Sequence, residues 1–158
     1  KVGHADSKLF AAIARSVEQR VNDFYAQDLA QTAWAFAKAG YSDAQLFQAL
    51  AGVVEWHLDS FNAQGLANTV WAFAKAGKLD AKLFTAFARS IEQRLADFNE
   101  QDLANTAWAF AKACHLDAKL FASLARSAEQ RVADFNVQDL VNTAWAFAKV
   151  GELDLKLF

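Results

Sequence analysis

The sequence predicts an all-α fold, an α-solenoid of 37-residue helix-turn-helix repeats in two helical layers with about eight helices. Three observations carry this. Tryptophans fall at Trp34, Trp71, Trp108 and Trp145, each 37 residues after the last. Leu-Phe pairs recur with the same period at Leu9-Phe10, Leu46-Phe47, Leu83-Phe84, Leu120-Phe121 and Leu157-Phe158. Residues 61–97 and 98–134 agree at 27 of 37 positions. Self-similarity at a fixed period of this length marks stacked units, none of which buries its apolar face alone. The chain reads as a single array segment of a partial repeat 1–23, repeats 24–60, 61–97 and 98–134, and a partial repeat 135–158. Both ends fall inside the pattern, so it reads as a window from a longer array. On that reading Lys1–Asp6 is the tail of an A helix and Leu153–Phe158 begins a B helix, leaving apolar surface at Val150 and Phe158.

Each period contains a helix A and a helix B. Helix A is expected from about Glu100 to Ala113. Asn99 is placed to cap it, Asp102 sits at the third helical position as in a capping box, and Phe98 can staple onto Leu103. Gly40, Gly77 and Gly151 mark its end, where a left-handed cap is expected, and Cys114 in the same column predicts a strained or altered turn. Projected at 100° per residue, Leu103, Ala104, Ala107, Phe110 and Ala111 form the buried arc, with Trp108 and Thr106 at its borders. Gln101, Asn105, Ala109 and Lys112 fall on the exposed side.

Helix B is expected from about Ala81 to Ala96 behind the cap Asp80, with counterparts after Asp6, Asp43, Asp117 and Asp154. Leu83, Phe84, Phe87, Ala88, Ile91 and Leu95 face inward, while Lys82, Arg89 and Gln93 form an exposed ridge. Proline is absent from all 158 residues, as long helices require. At 54% hydrophobic and 22% charged residues, the composition is that of a globular chain rather than a disordered one.

Catalysis needs one asymmetric constellation, whereas nearly every polar residue here belongs to a repeated column. The aspartates at helix starts read as caps, not as acid-base pairs. His4, His57 and His115 lie in different repeats without metal-ligand spacing. The single cysteine excludes an internal disulfide, and Cys114-His115 stands in a turn that is elsewhere Gly-Lys or Gly-Tyr. No glycine-rich phosphate loop occurs. No enzyme, metal, cofactor or small-molecule substrate is therefore expected. No signal peptide or membrane span is visible, since charges interrupt every apolar run.

The stretches FNAQGLANTVWAFAKAG (61–77) and FNEQDLANTAWAFAKA (98–113), with partners at 24–40 and 135–151, resemble the signature of organellar heptatricopeptide and octotricopeptide repeats. The resemblance covers essentially the whole chain, and the 37-residue period matches the heptatricopeptide form better. No RAP domain, a frequent companion in these families, is present. The resemblance implies binding of single-stranded RNA in organellar RNA processing or stability, in mitochondria or plastids.

Two surfaces could serve such binding. A formal net charge of −2 offers no global attraction to nucleic acid, so the charge must be local. The helix B ridge supplies Lys8 and Arg15, then Lys82, Arg89 and Gln93, then Lys119, Arg126 and Gln130; the alternative is that these residues only solvate an exposed face. On helix A, Asn68, Asn105 and Asn142, with Gln31, could bond base edges while Lys75 and Lys112 meet phosphates. The alternative for that column is a scaffold role, with Asn bonding a neighbouring backbone, and for the tryptophans a place in the core. Arg20, Arg94 and Arg131, with His57 in their column, are expected to reach acceptors at the following turn, such as Asp97. In the second repeat Gly52 interrupts the ridge, and Trp56 either stacks on a ligand or fills the space left by Gly52. The competing class of function is a protein-interaction scaffold, which such solenoids also provide.

Overall fold

The computed structural model describes residues 4–156, among which there are eight α-helices and no strand. In chain order they are α1 (His4–Arg20), α2 (Ala26–Lys38), α3 (Ala44–Trp56), α4 (Ala63–Lys75), α5 (Ala81–Gln93), α6 (Glu100–Lys112), α7 (Ala118–Arg131) and α8 (Val137–Lys156). The even-numbered helices are the A helices and the odd-numbered ones the B helices. A single 3-10 turn closes each B helix, at Val21–Asp23, Leu58–Ser60, Leu95–Asp97 and Val132–Asp134. No helix among the described residues is long and apolar enough to cross a membrane.

The caps are those the sequence announces. Asp43, Asp80 and Asp117 each accept from the backbone N–H three residues on, all at 2.9 Å. Asn99 and Asp102 bond reciprocally, Asp102 N–H to Asn99 Oδ1 at 2.8 Å and Asn99 N–H to Asp102 Oδ2 at 3.1 Å. Gly40 and Gly77 end α2 and α4 at φ 75° and 72°. At the first of these ends, the Tyr41 N–H reaches back to the Phe36 carbonyl at 2.9 Å. Cys114 does not change the turn: it takes φ 54°, and the His115 N–H bonds the Phe110 carbonyl at 3.0 Å in the same pattern. The turn shape is kept, and the strain falls on a side-chain-bearing residue in the left-handed region. His115 then packs edge-on against Phe110, with 5.8 Å between ring centroids, as Tyr41 does on Phe36 at 5.7 Å.

Phenylalanines join the two layers. Phe84 on α5 meets Phe110 on α6 edge to face at 5.4 Å, and Phe47 on α3 meets Phe73 on α4 at 5.3 Å. All four are buried, with Leu83, Phe87, Ala88 and Ile91 beside them. Within the A layer, α2, α4, α6 and α8 approach closely along their length, because Ala30, Ala33, Ala67, Ala72, Ala104, Ala107 and Ala109 line the seams. Successive B helices touch at far fewer points. A two-layer stack spaced this unequally curves toward the tighter layer, so the A helices take the inner arc.

Three expectations change. Helix α1 already runs from His4, placing Asp6 in its first turn rather than at its cap; Lys1–Gly3 lie outside the described residues. Helix α8 continues through Gly151 to Lys156, so no separate B helix starts at Leu153. Phe158 lies outside the described residues and Val150 is half-buried against the core. The uncovered apolar surface appears one layer earlier: Leu140 and Val141 are 42% and 57% exposed, whereas their counterparts Leu103 and Ala104 are 2% and 0%.

Candidate nucleic-acid interface

The exposed stripe of each A helix carries four residues at i, i+4, i+7 and i+11, spacings that share one helix face. On α4 they are Gln64, Asn68, Trp71 and Lys75, and on α6 Gln101, Asn105, Trp108 and Lys112. Helix α2 presents Gln27, Gln31, Trp34 and Lys38, and α8 presents Gln138, Asn142, Trp145 and Lys149. Stacking the helices turns these rows into four parallel columns on the inner wall.

The tryptophan column is at the border of the core, with Trp71 and Trp108 packed against it and Trp34 and Trp145 more open. Trp34 and Trp145 are 42% and 41% exposed, and Trp71 and Trp108 are half-buried. Trp71 and Trp108 lie 6.1 Å apart at ring centroids, and Trp108 and Trp145 6.2 Å apart, each pair inclined by 35°. They form a continuous indole ladder whose outer edge meets solvent. Ala109, expected on the exposed side, is fully buried because that side of α6 packs on α4. An A helix is covered by two A neighbours and its own B helices, so its open face is narrow and centres on the tryptophan.

The amides of this face are only partly engaged with protein. Gln138 Nε2 donates to Asn142 Oδ1 at 2.9 Å, but the side chains of Asn68 and Asn105 make no hydrogen bond to protein among the described residues. Lys38, Lys75 and Lys112 are exposed at helix C-termini, a placement the helix dipole favours, and form no ion pair among the described residues. On α6 and α8 the acids at the start of the helix are withdrawn, Asp102 and Asp139 being buried in their capping pairs, whereas Asp28 on α2 is exposed. Burial pushes the Asp102 carboxyl above its usual range, against the lowering effect of its bond with Asn99.

The helix B ridge is differently built. Lys8 and Arg15 on α1, Lys82, Arg89 and Gln93 on α5, and Lys119, Arg126 and Gln130 on α7 are all exposed on the outer layer. Lys82 pairs with Glu55 of the preceding B helix, and Lys119 with Glu92, each at 3.7 Å. Two of the ridge's six positive charges are thus answered by carboxylates one repeat back. Trp56 does not fill the space beside Gly52: it is 89% exposed at the end of α3, and nothing approaches a Cβ placed at Gly52.

Arg94 and Arg131 reach backward rather than to the following turn. Arg131 Nη1 donates to the Phe98 carbonyl at 2.6 Å, and Arg94 makes the equivalent bond to the Phe61 carbonyl. Each arginine ties the end of a B helix to the lead-in of the A helix in its own repeat. His57 in that column bonds its own helix instead, its ring Nδ1 lying 3.0 Å from the Val53 carbonyl. These are structural roles.

Sequence reasoning missed one further feature. Gly65 stands where the other repeats carry Asp28, Asp102 and Asp139, and that break in a constant column was its only signal. Beside it, between the N-terminal halves of α2 and α4, opens a cleft of about 320 Å³ lined by Gln27, Gln31, Asn62, Gln64 and Asn68. No group of three or more His, Cys, Asp or Glu side chains suited to a metal occurs among the described residues.

No curated protein matches the sequence. The profile of one family, described as RNA-editing substrate-binding complex 6 protein, matches residues 1–157. With this match running along nearly its full length, the chain belongs to the RNA-editing substrate-binding complex 6 protein family.

Proposed function

We propose that the chain binds single-stranded RNA along the inner wall of its A layer, as a non-catalytic module of organellar, specifically mitochondrial, RNA processing. The observation that carries this is the alignment of the Gln, Asn, Trp and Lys columns over four stacked helices, with the indole ladder at its centre. Aromatic edges and faces, neutral amides and a lysine track are the elements by which single strands are held: stacking, base-edge bonding and phosphate neutralisation. The family description names an RNA-editing substrate-binding complex, which fits this reading. The repeat rows also fit a relation to the heptatricopeptide pattern.

Salt dependence tests the proposal. Four lysines on the track, each meeting one phosphate, give a slope of log affinity against log salt of about −3. A salt-independent association, or none with single-stranded RNA, would overturn it. A second reading, a protein contact, is favoured only by Trp56, whose solvent-facing indole stands on the opposite layer. Trp56→Ala should leave RNA affinity unchanged and reduce capture by any protein partner.

A further inference from the structure

The rows of the inner wall are so alike that a uniform array would read every base the same way. We infer that the cleft at Gly65 is the exception: a subsite that takes one nucleobase of the bound strand and sets its register. This inference rests on the proposed RNA-binding role of the A layer.

Equivalent seams between A helices differ at one position. Between α4 and α6 the third residue of the A helix is Asp102, 4% exposed and bonded to Asn99. Between α6 and α8 it is Asp139, 5% exposed and bonded to Asn136 at 2.8 Å. Each carboxylate occupies the seam and places a negative charge there. Between α2 and α4 the same position is Gly65, and a Cβ there would stand 3.8 Å from the Ala30 Cβ across the seam, 3.2 Å from Phe61 and 3.0 Å from Asn62 Oδ1. The glycine itself is closely flanked, but the carboxylate of the other seams is absent, so the seam is uncharged and the cleft opens beside it. The helix keeps half of its cap, since the Gly65 N–H still donates to Asn62 Oδ1 at 2.7 Å.

What lines the opening is amide chemistry. Gln27, Gln31, Gln64 and Asn68 make no side-chain hydrogen bond to protein among the described residues, and Asn62 uses only its oxygen. Carboxamides held in place present a fixed pattern of donors and acceptors, which fits the edge of one nucleobase better than those of the others. The absence of charged groups in the lining disfavours phosphate or metal as the occupant. Asn68 belongs to the cleft and also lies one helical turn before Trp71, so a base in the cleft continues the strand lying along the ladder.

The test uses 12-nucleotide homopolymers of U, A and C with the wild-type chain and with Gly65→Asp and Gln31→Ala. The wild type is expected to favour one homopolymer. Gly65→Asp completes the capping pair found at Asn99, and with the Asn62 and Phe61 side chains shifting by a few tenths of an ångström to admit its Cβ it should stay folded with a melting temperature close to the wild type, while the preferred homopolymer binds about tenfold more weakly, one ordered base being lost. A charge effect alone would weaken all three equally; the inferred result is a collapsed ratio between them. Gln31→Ala, on an exposed side chain, should reduce the ratio in part. An unchanged ratio in both variants overturns the subsite and leaves the RNA-binding role standing, as does a wild type without base preference. A wild type that binds none of the three overturns both.

Discussion

The two layers of this solenoid solve the same packing problem with different side chains, and the difference separates scaffold from surface. The B layer meets its neighbours sparsely, through large residues directed inward and lysine-glutamate pairs on the rim. The A layer meets its neighbours along whole helices, through alanines that bring backbones together. Close spacing aligns the Trp, Asn and Lys columns into continuous tracks. A repeated residue becomes a surface only where the helices carrying it are near enough for one ligand to touch several.

Breaking the join between the layers should have the largest effect. Phe110→Ala removes a fully buried ring that meets Phe84 and His115, and should cost about 3–5 kcal/mol in denaturant unfolding. The alanine seam comes next and contains its own control. Ala109→Leu forces bulk into the contact between α4 and α6 and should cost about 1–3 kcal/mol. Ala35→Leu, in the same column but exposed on the first A helix, should stay within about 0.5 kcal/mol. Equal effects at the two positions would contradict the packed seam.

Smaller effects probe the helix ends. Cys114→Gly relieves a left-handed residue and should raise stability by about 1 kcal/mol, the steric gain being partly offset by the greater backbone freedom of glycine when unfolded. The least effect concerns pH. Asp102 holds its proton more tightly folded than unfolded, so between the ordinary aspartate range and its raised value the folded state binds more protons. Stability contributed at this site therefore falls as pH rises through that window. Asp102→Asn, which cannot titrate, should lose this slope in melting temperature against pH when compared with the wild type.

Much of the fold was legible because caps and periodicity are local signals. Asp80, Asn99 and Asp102 announce helix starts within three residues, and Leu83, Phe84, Phe87 and Ile91 keep one face at helical spacing. The open face of helix A was not legible in the same way. A one-arc projection places Trp108 at the border of the core, where it stands, but assigns Ala109 to solvent, whereas a helix flanked by two like helices is buried on both flanks. The reach of Arg131 to Phe98 spans 33 residues and depends on how the B helix returns. The cleft depends on a residue that is missing, so glycine in an aspartate column reads from sequence as drift. Trp56 shows the reverse error, since apolar character suggested packing where the side chain stands in solvent.

The proposed function requires the inner tryptophan ladder, rather than the outer basic ridge, to hold the RNA. Titrating a fluorescently labelled single-stranded RNA into the wild type, Trp108→Ala and the double variant Arg89→Ala/Arg126→Ala compares the two layers directly, with melting curves confirming that each variant is folded. The expected result is a loss of about 1–3 kcal/mol in binding for Trp108→Ala and little change for the arginine pair. Unchanged binding by Trp108→Ala with strong loss in the arginine pair would move the interface to the outer layer and contradict the assignment.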